Sequence, residues 1–267
     1  MANRIDSKFF DLRAGRQPGF IAYITAGDPA PGLTAPLALA LEGAGVDILE
    51  LGIPFSDPLA DGATIQAAAG RAIAAGTTVA GVLDIIREIR KFSEIPIVLF
   101  TYLNPIYVYG YEKFLADASA AGADGILILD LPPDEAARNV ELTGRRGLLS
   151  IQLIAPTTPP ERMELIAKSA EGFIYYVSRE GVTGEQSDLS QGISSQVAEI
   201  RKHTSLPVAV GFGISTPEQV RDVAAQADAV VVGSTIVRRI AELAHAPDLA
   251  AQIAAFVRPL ASATKAL

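Results

Sequence analysis

The stretch Val46-Asp47-Ile48-Leu49-Glu50-Leu51-Gly52-Ile53-Pro54-Phe55-Ser56-Asp57-Pro58-Leu59-Ala60-Asp61-Gly62 contains the unit that recurs along the chain. Its apolar run, 46–51, reads as a buried strand. Pro54, Pro58 and Gly62 then make a loop that is stiff at two points and permissive at a third. A helical pattern follows over 63–75.

Outward from this unit the same order repeats. A short amphipathic helix over 3–14, with Ile5, Phe9 and Leu12 on one face, precedes the first strand and is placed to cover one end of the domain. The strand runs are 20–25, 46–51, 97–102, 125–129, 148–154, 173–177, 208–210 and 229–232. The helical patterns after them fall near 33–44, 63–75, 111–121, 134–143, 160–167, 189–203, 217 onward and 236–244. A break at Gly76-Thr77-Thr78 splits off an extra helix over 79–92, and a last helix covers about 248–257. The segment with Asn104-Pro105 reads as a loop.

Near-continuous apolar strands point to parallel strands covered on both faces. Eight of them, each with a helical partner, predict an α/β fold: a (β/α)8 TIM barrel with an extra N-terminal helix and additional helices after strands 2 and 8. A doubly wound open sheet is the alternative. No Pro/Gly/Ser-rich linker divides the chain, so residues 1–267 read as one domain.

The composition narrows the function. The chain of 267 residues is 49% hydrophobic, with a formal net charge of -8. No Lys/Arg cluster offers a nucleic-acid surface. Without cysteine there is neither a disulfide nor a thiolate metal site. His203 and His245 fall in helical patterns far from the candidate chemistry, so no metal site is expected. No apolar run approaches the roughly 20 residues of a membrane span. The N-terminus lacks the apolar core of a signal peptide, and the expected compartment is the cytoplasm.

In a barrel the active site lies at the C-terminal ends of the strands. That rule gathers Glu50, Asp61, Tyr102, Asp130, Tyr175 and the glycines after strands seven and eight on one face. A carboxylate inside a strand is costly unless paired or neutralised. Glu50 is therefore an acid–base candidate, with a structural ion pair as the alternative. Asp61, on the wetter loop, is either a second catalytic carboxylate or a helix N-cap. Two carboxyls in different environments can be split into acid and base. Gly211-Phe212-Gly213 and Gly233-Ser234 suit a phosphate, because glycines let N–H groups approach an anion and the next helix starts there. Tight strand-to-helix turns are the plainer reading. Gly211 onward fails as a dinucleotide fingerprint, since the third glycine is absent and the unit comes seventh. Tyr23, Ile65, Phe100, Tyr102, Leu127, Tyr175 and Phe212 are candidates to line the apolar end of the pocket. The polar loop 178–188 is long enough for a mobile lid.

These motifs resemble the alpha subunit family of tryptophan synthase. The resemblance runs from about Phe20 to Ile240. It is carried by residues 50–62, Thr25-Ala26-Gly27-Asp28-Pro29, Tyr102-Leu103-Asn104-Pro105, Asp130-Leu131-Pro132, Ser178-Arg179-Glu180-Gly181-Val182-Thr183-Gly184 and Gly211-Phe212-Gly213-Ile214. It implies a lyase of tryptophan biosynthesis that cleaves indole-3-glycerol phosphate to indole and glyceraldehyde 3-phosphate. Glu50 would be the general acid–base, and Asp61 would hold the indole N–H and stabilise its positive charge. Gly184, Gly213, Gly233 and Ser234 match the phosphate positions, Thr183 the closing loop, and Tyr175 the strand before it. The resemblance implies no cofactor on this subunit. It implies a beta subunit carrying pyridoxal phosphate, in an assembly of two alpha and two beta chains, with Pro54, Phe55, Asp57, Pro58, Asn104 and Pro132 on the docking side. Glu180 departs from the family pattern and is expected to point away from a bound phosphate. Another phosphate-binding barrel of the same pathway, a stand-alone indole-3-glycerol-phosphate lyase and a ligand-binding regulatory subunit are the competing readings.

Overall fold

The structure is a computed structural model that describes residues 3–178, 186–211 and 213–266. Its strands are β1 (Gly19–Thr25), β2 (Ile48–Gly52), β3 (Ile97–Thr101), β4 (Gly125–Ile128), β5 (Leu149–Ser150), β6 (Gln152–Ile154), β7 (Ile174–Val177), β8 (Val208–Gly211) and β9 (Ala229–Val232). All pair in parallel, in the order β5-β4-β3-β2-β1-β9-β8-β7-β6. The two ends of this series are halves of one run. The fifth run, continuous in the sequence, divides at Ile151: its first half pairs with β4 and its second with β7. Counted by runs, the sheet is an eight-stranded barrel, with its seam inside the fifth.

Helices surround it: α1 (Arg4–Ala14), α2 (Pro31–Gly43), α3 (Ala63–Ala74), α4 (Val79–Arg90), α5 (Leu103–Tyr109), α6 (Tyr111–Ala121), α7 (Pro133–Gly144), α8 (Pro160–Ser169), α9 (Gln186–Ile200), α10 (Pro217–Ala224), α11 (Ser234–Glu242) and α12 (Leu249–Ala263). The expected extra helices are α1, the α3–α4 pair after strand 2, and α12 after α11. Helix α5 departs from the loop expected at Asn104-Pro105. Pro105 sits in its first turn, where no backbone donor is missed. The Leu103 N–H at its start donates to Asp130 Oδ1 at 2.7 Å, so a carboxylate from the neighbouring strand end does the work of a cap.

The strands bury both faces. Leu49, Leu51, Ile97 and Leu99 point outward into the helix layer, while Ile21, Ile48, Val98, Phe173, Ala209 and Ala229 fill the barrel. Helix α1 closes the N-terminal end: Ile5, Phe9 and Leu12 belong to the interior cluster, and the Phe9 and Phe173 rings lie 5.6 Å apart. The Asn3 side chain caps α1 and donates to the backbone oxygens of Asp124 and Gly147. His203 and His245 lie in turns after helices α9 and α11, not within helices, and His245 is exposed.

Candidate active site

Because side chains alternate along a strand, Tyr23 on β1 and Glu50 on β2, which are register partners, face inward above Ile21 and Ile48. Glu50 is 0% exposed. Among the described residues neither of its oxygens has a hydrogen-bond partner. It is thus fully buried, and among the described residues no ion pair accounts for it. Burial pushes its pKa up to about 8, so the carboxyl is held mostly neutral at pH 7.

Asp61 stands on the loop that leaves the same strand. The first helical residue after it is Ala63, the N-cap is Gly62, and no side chain caps the helix. Asp61 is therefore not a capping residue. The Tyr102 hydroxyl lies beside its carboxylate and favours the ionised form. Burial raises its pKa and that hydroxyl lowers it, for a net value of about 6. The Tyr102 oxygen also accepts the Ala60 N–H at 3.0 Å, and its ring lies 5.4 Å from Phe55. Tyr102 therefore fixes both the acid and the loop that carries it.

A cavity of about 190 Å³ opens at this end of the barrel. It is lined by Tyr23, Asp61, Ile65, Phe100, Tyr175, Gly213, Gly233 and Ser234, all site candidates from the sequence. Tyr102 and Leu127 are buried outside its wall. Glu50 lies beneath it, and the charges of Glu50 and Asp61 both act on the Tyr175 phenol, which burial above all raises well beyond its ordinary pKa. Thr183, Gly184, Phe212 and Glu180 lie outside the described residues, as do residues 179–185 of the loop 178–188 expected as a lid; from Gln186 the chain is already in α9, three residues before the helix expected at 189.

Two glycines make room for the tyrosines. A Cβ on Gly52 would fall 2.2 Å from the Tyr23 hydroxyl, and one on Gly211 would fall 2.6 Å from that of Tyr175. Val177, Ser178, Gly211, Ile214, Val231 and Thr235 complete the lining. Strand alternation singles out Val177 and Val231 as inward-facing, yet nothing in their residue type distinguishes a pocket wall from core.

At the far side, β9 ends at Val232, Gly233 is the N-cap and α11 begins at Ser234 with no side-chain cap. The first turn of a helix carries unsatisfied N–H groups and partial positive charge, which suits an anion. Asp61 and Ile65 line the same cavity as this helix start, and Ile65 packs with Val237 of α11. Among the described residues no group of three or more His, Asp or Glu is placed to hold a metal ion. No single described helix is long and apolar enough to cross a membrane.

A buried acid without a partner among the described residues and a second acid on the wall of a cavity at the C-terminal strand ends define a candidate (β/α)8-barrel enzyme. Residues 9–265 match the family model described as tryptophan synthase alpha chain. The chain belongs to that family. A tryptophan synthase alpha chain from Geobacter sulfurreducens is 49% identical over 261 residues, 98% of each chain. One from Opitutus terrae is 49% identical over 264 residues, 98% of this chain and 99% of its own. The solved structure of tryptophan synthase subunit alpha from Legionella pneumophila covers 100% of both chains with a TM-score of 0.93 at 41% identity.

Proposed function

We propose that this chain cleaves indole-3-glycerol phosphate to indole and glyceraldehyde 3-phosphate as the alpha subunit of tryptophan synthase, working as a single-domain barrel. One observation carries the reading: a buried acid with no partner, Glu50, lies under a cavity whose wall holds a second, ionised acid. The neutral Glu50 carboxyl protonates the ring carbon that bears the glycerol chain. The resulting indolenine carries positive charge on its nitrogen, which the Asp61 carboxylate stabilises. Glu50, now a carboxylate, takes the proton of the adjacent glycerol hydroxyl. The carbon–carbon bond breaks, its electrons return to the ring, and an aldehyde forms. The proton lent at the start is recovered, so Glu50 ends as it began.

The phosphate sits at Gly213, Gly233, Ser234 and the start of α11, with Gly184 completing the cradle. Tyr23, Ile65, Phe100 and Tyr175 hold the indole, with Phe212, Tyr102 and Leu127 as further candidates and Thr183 on the closing loop. The ring nitrogen serves as electron sink, so the chain needs no cofactor of its own; pyridoxal phosphate belongs to the beta subunit. Two alpha and two beta chains assemble in the cytoplasm. Docking is supported by the exposed surface beside the cavity, where Leu59 is 93%, Tyr107 73% and Val108 77% exposed. Asp57, Asn104 and Pro132 are exposed nearby, with Pro54, Phe55 and Pro58 partly so.

The test is indole release from indole-3-glycerol phosphate by the parent chain and by Glu50→Gln. Release by the parent and its loss in the variant are expected. Full activity in the variant overturns the assignment of the acid–base. Turnover is expected to be slow for the isolated chain and much faster with the beta subunit.

A further inference from the structure

Helix α3 leads away from Asp61 across the mouth of the barrel. Its first turn supplies Ile65 to the cavity, and it packs on β1 and on α11, the helix that starts at the anion seat. Whatever sets the position of α3 therefore acts together with Tyr102, which holds the loop, to set the separation between Asp61 and that seat.

Packing anchors the first half of α3: Ile65 and Ala68 cluster with Tyr23 of β1 and Val237 of α11. Past Ile65 the buried residues of α3 are Ala68, Ala69 and Ala72, whose methyl groups present shallower ridges than larger side chains. Near its far end, about 12 Å from Ala63 at the rise of an α-helix, stands Arg71. Its guanidinium grips Asp28 with both arms, Nε to Oδ1 at 2.7 Å and Nη2 to Oδ2 at 2.8 Å. Asp28 is 2% exposed and Arg71 36%. A fork-on-carboxylate contact fixes direction as well as distance.

Asp28 is a firm anchor. It lies on the loop after β1, whose Ala26 N–H donates to Gly52 O at 2.9 Å, two residues beyond Glu50. The Gly27 N–H donates to Thr34 Oγ1 at 2.9 Å. Gly27, at φ +86°, also packs on Thr77 in the break after α3, so closely that a Cβ there would lie 1.8 Å from the threonine oxygen. The end of β2, the Asp28 loop and the end of α3 are thereby joined in one frame.

We propose that the Arg71–Asp28 pair is a positioning device that holds α3 at a fixed place over the barrel mouth, and through it Asp61 and Ile65 at their working distance from the anion seat. The proposal rests on the lyase reading above. Neither residue touches the substrate.

Arg71→Lys keeps the charge and loses the fork; Arg71→Met loses both. Indole release by the full chain gives kcat and KM, thermal melting gives stability, and hydrogen exchange reports on amides 63–74. Displacement of a reacting group by about 1 Å costs on the order of 100-fold. We expect kcat to fall about 10- to 100-fold in Arg71→Met, with KM changing less, and Arg71→Lys to lie between it and the parent. Amides 63–74 should exchange faster in both. A kcat within about twofold of the parent in Arg71→Lys and Arg71→Met, whatever their melting points, overturns the proposal. If Arg71→Met does not fold, the same criterion applies to Arg71→Lys alone. A parent chain that releases no indole overturns the lyase reading instead, and the positioning role is then decided by exchange over 63–74, where unchanged rates overturn it.

Discussion

Two acids are buried at opposite ends of this barrel, and their surroundings could hardly differ more. Asp124, 3% exposed at the N-terminal end, accepts the Ile97 N–H at 2.8 Å and contacts Arg90 at 2.8 Å and Arg4 at 2.9 Å. Glu50, at the C-terminal end, has no such partner among the described residues. Burial pushes both pKa values up, but at Asp124 the amide and the arginines pull back, whereas at Glu50 nothing does. The satisfied acid ties α1, α4 and two strands together. The unsatisfied one lowers stability in its charged form and leaves a proton free to be used. A buried carboxyl is thus better judged by its partners than by its depth.

The sharpest way to break this contrast is to neutralise each acid. Glu50→Gln should lower kcat for indole release by about three to four orders of magnitude, since it removes the proton-transfer group and its recovery step. Asp61→Asn should lower kcat by about two to three orders of magnitude while KM changes little, because its charge matters most when the indolenine forms. A raised KM with kcat intact would mark Asp61 as a binding group only. Asp124→Asn should do the reverse of both: it leaves Arg90 buried without its counter-charge and should cost about 3 kcal/mol in urea unfolding, with kcat unchanged where the protein is folded. Loss of rate there without loss of stability would erase the distinction between the two ends.

Two pH measurements refine it. The raised pKa of Glu50, about 8 against 4.5 for an ordinary glutamate, means the native state holds a proton that the unfolded chain has released. Its contribution to stability is complete below about pH 4.5 and is lost as pH climbs through about 8, a decline of a few kcal/mol. Urea unfolding at the two ends of this range should show the decline in the parent and a flatter dependence in Glu50→Gln. The activity should follow a bell, rising with ionisation of Asp61 near its value of about 6 and falling as Glu50 loses its proton near about 8. A single-limbed profile would show that one of these acids is kinetically silent.

Much of this is readable along the chain because a parallel barrel writes itself in runs. Each strand is apolar on both faces, each helix is amphipathic, and the strand ends mark one face on which Glu50, Asp61 and the late glycines must meet. What the sequence hides depends on contacts between distant segments. Helix α5 is disguised by Asn104-Pro105, since its cap, Asp130, comes from another strand. The division at Ile151 follows from closure of the ring, which no local pattern records. The depth of Glu50 reflects the stacking of neighbouring strands, and its alternation pattern alone permits both half and full burial. Tyr102 reads as a pocket wall by its place at a strand end, yet its hydroxyl turns to Ala60 and Asp61. The role of Arg71 leaves no mark in the local sequence, because Asp28 lies 43 positions away.

The N-terminal helix α1 has a consequence of its own. By stoppering the barrel floor with Ile5, Phe9 and Leu12, it turns the chamber into a blind alley. Among the described residues the cavity of the candidate site lies at the opposite end, so a molecule that uses it crosses the rim made by the strand ends.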